Sequence, residues 1–188
     1  MTVNPHYFIA IPIPSGVKEL VMEWQSDLKS SLSYKQWTNK EDLHITLKFL
    51  GAVHKNVLEK LVAELQTLEN LSPLSLDLKG IKTFGNPSSP RVIYANVQQS
   101  ESLNQLVEIV ESCAELCDFA KETRDFRAHI TLAKKWNGQS LKEPVETITG
   151  KYSNENHTFK MGQVHLYQVH PNENPKYEVI ESFTLKER

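Results

Sequence analysis

The sequence predicts an α+β fold with largely antiparallel sheet, built from two related halves. Strand and helix patterns interleave without the regular rhythm of βαβ units, and no glycine-rich dinucleotide-binding loop follows a strand. The tetrapeptide His-Ile-Thr-Leu occurs at residues 44–47 and again at residues 129–132. The length of 188 residues fits a single domain over residues 1–188 in which two lobes share a core.

Seven stretches are typical of β-strands, because they are rich in β-branched and aromatic residues or alternate between apolar and polar side chains. They are residues 6–13, 43–50, 74–81, 91–97, 127–133, 164–169 and 177–185. Turns are predicted where proline, glycine and asparagine cluster, at residues 70–73, 85–90 and 171–175.

Apolar residues recur at helical spacing in three stretches, which are residues 17–32, 57–68 and 103–117. We expect Ser15 to be the N-cap of the first helix. We also expect Ser102 and Gln105 to form a capping box in the third helix. A fourth, weaker helix is predicted after Ser140.

Composition narrows the class of protein. The 21 basic and 23 acidic residues give a net charge of −2, which argues against a protein that grips long nucleic acid through many phosphates. No apolar run approaches the roughly 20 residues that span a bilayer, and the first residues lack a basic leader. Cys113 and Cys117 lie four residues apart, a spacing with poor disulfide geometry in a helix. We therefore expect both to be small core residues, and we expect a cytoplasmic protein.

The first copy of the repeated tetrapeptide lies in a predicted strand. Side chains on a strand alternate between two faces. We therefore expect His44, Thr46 and Lys48 to share one face. Phe49 falls on the opposite face, with the leucines and isoleucines, and is expected in the core.

The second copy repeats this polar face with His129 and Thr131. One histidine on a polar strand face is usually solvated, but recurrence in both halves favours a shared function. A zinc site is the weaker alternative, because two histidines and two threonines are a poor ligand set and no carboxylate or cysteine recurs beside them. The other five histidines show no repeated pattern and are expected to be structural or surface residues: His6, His54, His157, His165 and His170.

Two imidazoles that face one substrate can divide acid–base work, because one accepts a proton from water while the other donates a proton to a leaving oxygen. Threonine hydroxyls can donate to phosphoryl oxygens. Basic residues outnumber acidic ones by four to two in residues 35–55 and by five to two in residues 121–135. The pattern indicates a small anion site that cleaves a phosphodiester with an alkoxide leaving group and requires no metal or other cofactor.

The paired motifs, the first of which continues as HITLKFLG, resemble those of the two-histidine phosphoesterases. Within them the chain looks most like the RNA 2',3'-cyclic phosphodiesterase group, also called 2'-5' RNA ligase-like proteins, through FIAIPIP, RVIY at residues 91–94 and KYEVIESF. The resemblance implies two antiparallel sheets that face a central cleft, with helices outside and a pseudo-two-fold repeat. It also implies metal-independent hydrolysis of a terminal 2',3'-cyclic phosphate to a 2'-phosphomonoester.

The resemblance also implies roles for single residues. His44 corresponds to the proton donor to the departing 3' oxygen, and His129 to the acceptor of a proton from water. Thr46 and Thr131 correspond to residues that bind the phosphoryl group, and Lys134 is expected to contact substrate.

The chain departs from the family pattern at three positions. Lys134 stands where arginine is common, so the charge is kept but the planar fork that grips phosphate in two places is lost. Ala128 stands where proline is common, and Val169 where serine is common. These changes concern substrate contacts and leave both histidines in place.

Other functions stay open from sequence alone. The same site fits another ribose cyclic phosphate such as ADP-ribose cyclic phosphate, a 2'-5' linkage, or weak reverse ligation. A non-catalytic binder of RNA ends or nucleotides and a purely structural module are further alternatives. The expected partners are RNA 3' ends or small nucleotide cyclic phosphates, with no membrane or protein partner implied. Candidate aromatic residues for base stacking are Phe84, Trp37, Phe126 and Trp136, although ordinary packing is the commoner role.

Overall fold

A computed structural model describes residues 4–186. Within them the chain forms nine strands: β1 His6–Pro12, β2 Tyr34–Trp37, β3 His44–Ala52, β4 Leu74–Asn86, β5 Ser89–Val97, β6 His129–Trp136, β7 Asn156–Met161, β8 Gln163–Val169 and β9 Tyr177–Thr184. The four α-helices of the described residues are α1 Ser15–Lys29, α2 Lys55–Leu65, α3 Glu101–Glu115 and α4 Val145–Gly150, and 3₁₀ turns cover Lys40–Asp42 and Gln66–Asn70.

The strands form two antiparallel sheets. The first has the order β3-β1-β8-β9 and the second has the order β2-β6-β5-β4-β7. Every neighbouring pair of strands is antiparallel. The predicted α+β fold with antiparallel sheet is therefore confirmed.

Each of the seven predicted strands is present, with ends that differ by a few residues. The two strands that the sequence patterns did not indicate, β2 and β7, are the two edges of the second sheet. Both strands are short, with four and six residues, and they bury only one and two side chains. The predicted turn over residues 85–90 is mostly strand, because β4 reaches Asn86 and β5 begins at Ser89.

The predicted helices are present, but both predicted caps are wrong. Pro14 is the N-cap of α1, and Ser15 is the first helical residue. At α3 the cap is Ser100, whose hydroxyl accepts the backbone N–H of Leu103 at 3.3 Å. Ser100 has the extended backbone that a cap requires, whereas Ser102 already lies inside the helix.

The helices α1 and α3 each pack against the sheet that does not contain the strand before them in sequence. Although α1 begins just after β1 of the first sheet, it packs against the second, where the Trp24 ring lies 5.6 Å from Tyr152 and 6.0 Å from His157 of β7. In the opposite sense, α3 joins β5 and β6 of the second sheet but packs against α2 and β3. The Cys113 thiol lies 3.5 Å from the carbonyl oxygen of Glu64 in α2. Each half of the repeat thus supplies a helix that packs on the other lobe, where a lobe is one sheet with the helices packed on it.

Both cysteines are buried and free, as predicted, and burial raises the pKa of both thiols. The apolar core runs continuously from the helices into both sheets. None of the helices in residues 4–186 is long and apolar enough to cross a membrane.

Candidate active site

The two copies of the tetrapeptide meet where the two sheets adjoin. His44 is the first residue of β3 and His129 is the first residue of β6. These strands belong to different sheets but are in contact. Both histidines, together with Thr46 and Thr131, are half-buried. The charge of His129 is also one cause of the lowered pKa of His44, so the two rings lie within electrostatic reach.

A β-bulge interrupts β3 within the motif. Ile9 of β1 pairs with Lys48, whereas the next residue, Ala10, pairs with Thr46. Leu47 is therefore left without a partner. Two consecutive residues of a bulged strand face roughly the same side, so the alternation of side chains is inverted beyond the bulge.

The same bulge occurs at the same place in β6. Ile93 of β5 pairs with Ala133, and Tyr94 pairs with Thr131. Leu132, the last residue of the second tetrapeptide, has no partner in β5, although its carbonyl accepts the backbone N–H of Thr38 at 2.9 Å. The internal repeat therefore includes the β-bulge, which lies at the same residue of the tetrapeptide in both strands.

The bulge in β3 overturns two predictions for the first motif. Lys48, expected beside His44, is instead buried, and its ammonium lies 2.7 Å from the carboxylate of Glu111 in α3. Phe49, expected in the core, is 62% exposed. Phe49 pairs with Phe8, whose ring lies 4.8 Å from the ring of His44, so Phe49 is on the site face. Both predictions assumed unbroken alternation.

In β6 the bulge places Lys134 on the site face. Unbroken alternation would turn it away from Thr131. Lys134 pairs with Val92, which is two residues from Tyr94, the partner of Thr131. Partial burial, followed by the charge of Lys176, lowers the pKa of Lys134. Two positive side chains from distant parts of the sequence therefore lie near each other at the site.

The ring of His44 is held at both nitrogens. Its Nδ1 donates to the backbone carbonyl of Asp42 at 2.7 Å, because a carbonyl only accepts. In the neutral ring Nε2 is then an acceptor, and the Thr46 hydroxyl donates to it at 2.9 Å. The rings of Phe8 and Tyr177 flank the imidazole, with centroids at 4.8 and 5.2 Å.

Asp42 also fixes the loop between β8 and β9. Its buried carboxylate accepts the backbone N–H groups of Lys176 and Tyr177 at 2.9 and 3.2 Å. The side chain of Asn39 donates to that of Asn174 at 2.7 Å. The turn before β3 thus holds the loop, and with it Tyr177, against the first histidine.

His129 is held in the same manner. Its Nδ1 donates to the backbone carbonyl of Arg127 at 2.6 Å, again two residues earlier in the chain. The rings of Phe84 and Tyr94 stack on each other at 4.2 Å and meet the imidazole edge-on at 5.2 and 5.3 Å. In both motifs, therefore, Nδ1 is engaged by a backbone carbonyl and Nε2 is the nitrogen left for chemistry, once the Thr46 hydroxyl turns away from Nε2 of His44.

Burial governs the protonation of both histidines. Burial, aided by the charges of His129 and Lys134, lowers the pKa of His44 to about 4, although the hydrogen bond to the Asp42 carbonyl opposes this shift. Burial also lowers the pKa of His129. In the free protein both rings are neutral at pH 7. A bound anion favours the protonated form, so substrate would raise both pKa values.

Of the four aromatic residues considered for stacking, only Phe84 contacts a motif histidine in the described residues. Trp37 and Trp136 pack edge-on against Tyr34, at 5.7 and 5.1 Å. Phe126 packs against the main core.

Several residues that surround the two motif histidines were not indicated by any sequence pattern. His165, expected to be structural or at the surface, shares the face of Thr46 because both pair with Ala10, and its Nδ1 lies 3.1 Å from the hydroxyl of Tyr167. No local signal marks such residues, since strand pairing alone brings them to the site. The others that were missed are Phe8, Asp42, Phe49, Tyr94, Tyr167 and Tyr177.

Comparison with known proteins identifies the family. A family model described as the AKAP7 2'5' RNA ligase-like domain matches residues 5–185. An RNA 2',3'-cyclic phosphodiesterase of Bacillus subtilis is 32% identical over 97% of this chain and 98% of that protein. One of Geobacillus stearothermophilus is 35% identical over 96% of this chain, which spans 57% of that longer protein.

Solved structures share the fold. E. coli LigT complexed with 3'-AMP has a TM-score of 0.76 at 19% identity, covering 97% of this chain and 99% of that one. TT0787 of Thermus thermophilus has a TM-score of 0.77 at 24% identity, covering 96% and 97%. With the family match over nearly all described residues, and the two motifs on adjoining strands, the chain belongs to the 2'5' RNA ligase-like family of two-histidine phosphoesterases.

Proposed function

We propose that this protein hydrolyses the terminal 2',3'-cyclic phosphodiester of RNA to a 2'-phosphomonoester, with no metal. The observation that carries the proposal is the matched pair of imidazoles. Each donates Nδ1–H to the carbonyl two residues before it, on adjoining strands of opposite sheets, and so presents Nε2. The relatives named RNA 2',3'-cyclic phosphodiesterase, which cover nearly the whole chain, support the same activity.

In the proposed reaction, Nε2 of His129 takes a proton from water as the water oxygen attacks phosphorus. The bond between phosphorus and the 3' oxygen breaks, and protonated His44 gives its proton to that oxygen. The product carries a 2'-phosphate and a 3'-hydroxyl. His129 ends protonated and His44 neutral, and exchange with solvent restores both.

The protonation of His44 depends on substrate. In the free protein its pKa is about 4, so little of it is protonated at pH 7. The negative phosphodiester offsets the charges of His129 and Lys134 and favours the protonated ring. We therefore assign the donor role to His44 in the complex only. His129 suits the acceptor role, because burial lowers its pKa and so keeps Nε2 unprotonated.

The remaining groups bind the anion. The Thr131 hydroxyl can donate to a non-bridging phosphoryl oxygen, where negative charge develops. The Thr46 hydroxyl can do the same once His44 is protonated, because Nε2 then no longer accepts from it. Lys134 lies on the same face as Thr131 and supplies positive charge. The exposed ring of Phe49 offers a surface on which the terminal base stacks.

The test is to replace each histidine and to measure hydrolysis of an oligonucleotide with a 2',3'-cyclic phosphate end. We expect His44→Ala and His129→Ala each to lower kcat by about 10²–10⁴-fold. His54→Ala, which removes an exposed histidine before α2, should leave kcat unchanged. Phosphorus NMR should identify the product as the 2'-phosphate. Near-normal turnover by either motif variant would exclude the paired mechanism.

Chelation tests the absence of a metal from the mechanism. Activity should persist after prolonged treatment with EDTA and removal of the chelator. Strong inhibition that is reversed by adding a divalent cation would support the zinc alternative.

The family match favours one second reaction of the same site, since its description refers to a 2'5' RNA ligase. If a 5'-hydroxyl replaces water as the nucleophile, the same proton transfers join it to the 2'-phosphate. We expect this ligation to be weak beside hydrolysis.

A panel of RNA cyclic phosphate, ADP-ribose cyclic phosphate and a 2'-5' linked oligonucleotide should give the highest kcat/KM for the RNA end. Tight binding that leaves the cyclic phosphate intact would instead indicate a non-catalytic binder.

Two further expectations stay predictions. The single family match over residues 5–185 supports one two-lobed domain. Cytoplasmic location also stays a prediction, for which fractionation of cells is the measurement.

A further inference from the structure

Four polar side chains are buried within residues 4–186, and all four support the two motifs. They are Gln25, Asp42, Lys48 and Glu111. Asp42 holds the first histidine and the loop between β8 and β9. The other three contact the bulged parts of β3 and β6. We propose that Gln25 and the Lys48–Glu111 pair are positioning residues, which hold the two bulges and so set the distance between the motif imidazoles. This inference rests on the proposed function.

Gln25 of α1 supports the bulge of β6. Its Nε2 donates to the carbonyl of Leu132, the bulge residue, at 3.0 Å, and to the carbonyl of Thr38 at 2.9 Å. A bulge leaves backbone groups without a partner in one neighbouring strand. The Leu132 carbonyl also accepts the backbone N–H of Thr38 at 2.9 Å, so Gln25 adds a second donor to it and ties it to the end of β2. Both amide hydrogens of Gln25 are used in this way, so its position relative to β6 is closely defined.

The ion pair supports the bulge of β3. Lys48 directly follows the bulge residue, and its ammonium donates to Glu111 at 2.7 Å and to the carbonyl of Ala120 at 3.0 Å. The same carboxylate accepts the backbone N–H of Glu122 at 3.3 Å. Ala120 and Glu122 lie in the segment that leads from α3 into β6. The pair therefore connects the first motif to the chain entering the second.

Each supporting helix contacts the motif strand of the other half of the repeat, and this arrangement relates the contacts to the relative placement of the two motifs. The helix α1 precedes β3 in sequence but holds β6, and α3 precedes β6 but holds β3. Each supporting helix packs on one lobe but is joined in sequence to a strand of the other, so each support is anchored to both lobes. Because each bulge determines which residues face the site, loss of a support would alter the placement of the reacting groups.

Stability alone is a weak reason for a buried ion pair, since apolar residues of similar volume are often as stabilising. This provides a clean test. In Lys48→Met/Glu111→Leu we expect a folded protein in which kcat falls at least tenfold while KM changes less than threefold. The control on the same helix is Cys113→Ala, whose thiol lies against the Glu64 carbonyl of α2, and its kcat should match that of the unaltered protein.

A second pair of variants tests the other bulge. Gln25→Leu should lower kcat with little change in KM. Leu28→Ala, on the same helix, removes a fully buried side chain and should lower the melting temperature at least as much, yet leave kcat unchanged at a temperature where the variant is folded. If kcat falls equally in Gln25→Leu and Leu28→Ala, the role of Gln25 is merely structural and the proposal is overturned.

A readout that needs no turnover separates this proposal from the proposed function. If the adjoining strands move apart, His44 becomes less buried, and its pKa measured by NMR should rise from about 4 toward 6.5 in the double variant but not in Cys113→Ala. An unchanged pKa together with unchanged kcat in the folded double variant would refute the proposal. Absence of turnover by the unaltered protein would refute the proposed function and leave the NMR comparison decisive for positioning. If the double variant does not fold, Gln25→Leu decides by the same two measurements.

Discussion

The carboxylate of Asp42 accepts the backbone N–H of Lys176 at 2.9 Å, although 134 residues separate the two in the sequence. The backbone carbonyl of Asp42 accepts Nδ1–H of His44 at 2.7 Å. One residue therefore orients the first histidine and also anchors the loop whose next residue, Tyr177, flanks that ring.

Removal of the Asp42 carboxylate should affect both loop and ring. In Asp42→Ala the N–H groups of Lys176 and Tyr177 lose their acceptor, and we expect a loss of about 1–3 kcal/mol in the free energy of unfolding. We expect kcat to fall because Tyr177 no longer holds the ring of His44. Asp42→Asn keeps one oxygen acceptor and should be milder in both respects. Urea unfolding and turnover measure the two effects, and values for Asp42→Ala equal to those of the unaltered protein would contradict this role.

Stability should fall as the pH drops below neutral. Burial holds the pKa of His44 at about 4 in the folded chain, against 6.5 for the ordinary residue, so the unfolded chain binds this proton first. The contribution of His44 is fully present above pH 6.5 and declines as the pH falls toward 4. Its full size is about 3 kcal/mol.

Urea unfolding between pH 7.5 and pH 4 measures this dependence. His44→Gln, which does not titrate, should show a flatter curve, and His54→Ala should keep the original slope. A slope that is the same in His44→Gln and the unaltered protein would contradict the buried neutral ring.

Phe49 should contribute to binding of the base and little to stability. Its ring is 62% exposed, so Phe49→Ala should change the free energy of unfolding by less than about 0.5 kcal/mol. Stacking of one base is worth about 1–3 kcal/mol, which predicts an increase of about fivefold or more in KM for a cyclic-phosphate oligonucleotide. Ribose 2',3'-cyclic phosphate, which lacks a base, is the matched substrate and should show no such increase. Equal effects on both substrates would exclude stacking.

Lys134 should act through its charge. Lys134→Ala is expected to raise KM by about tenfold or more, since a hydrogen bond to a charged group is worth about 1.5–3 kcal/mol. Lys134→Arg keeps the charge and adds a planar fork, so its KM should be equal or lower. Lys135→Gln removes a neighbouring positive charge and controls for general attraction of the anion. An increase in KM for Lys135→Gln as large as that for Lys134→Ala would show that the effect is not specific.

Much of the fold followed from local patterns. Alternation and β-branched residues located seven of the nine described strands, and helical spacing located the three long helices. The strands β2 and β7 were missed, because they are short and bury only one and two side chains. The capping residues were misplaced by one or two positions, because the backbone conformation decides which residue is the cap: Pro14 and not Ser15 at α1, and Ser100 and not Ser102 at α3.

The site was predictable in part. A repeat in the sequence identified His44 and His129, each with a threonine two residues later. The positions of Lys48 and Phe49 were predicted wrongly, because a bulge is a property of two paired strands and its presence cannot be judged from one strand alone.

By itself the sequence determined the chemical groups, their duplication and the strand character of both motifs, because side-chain identity and the period of two are local. Only the tertiary structure decided which residues after each motif face the site, how Asp42 reaches Lys176, and which helix supports which motif. Those relationships arise from strand pairing and from helices that cross to the other lobe, which are contacts between distant segments. No local pattern specifies such contacts, because each depends on the packing of the whole chain.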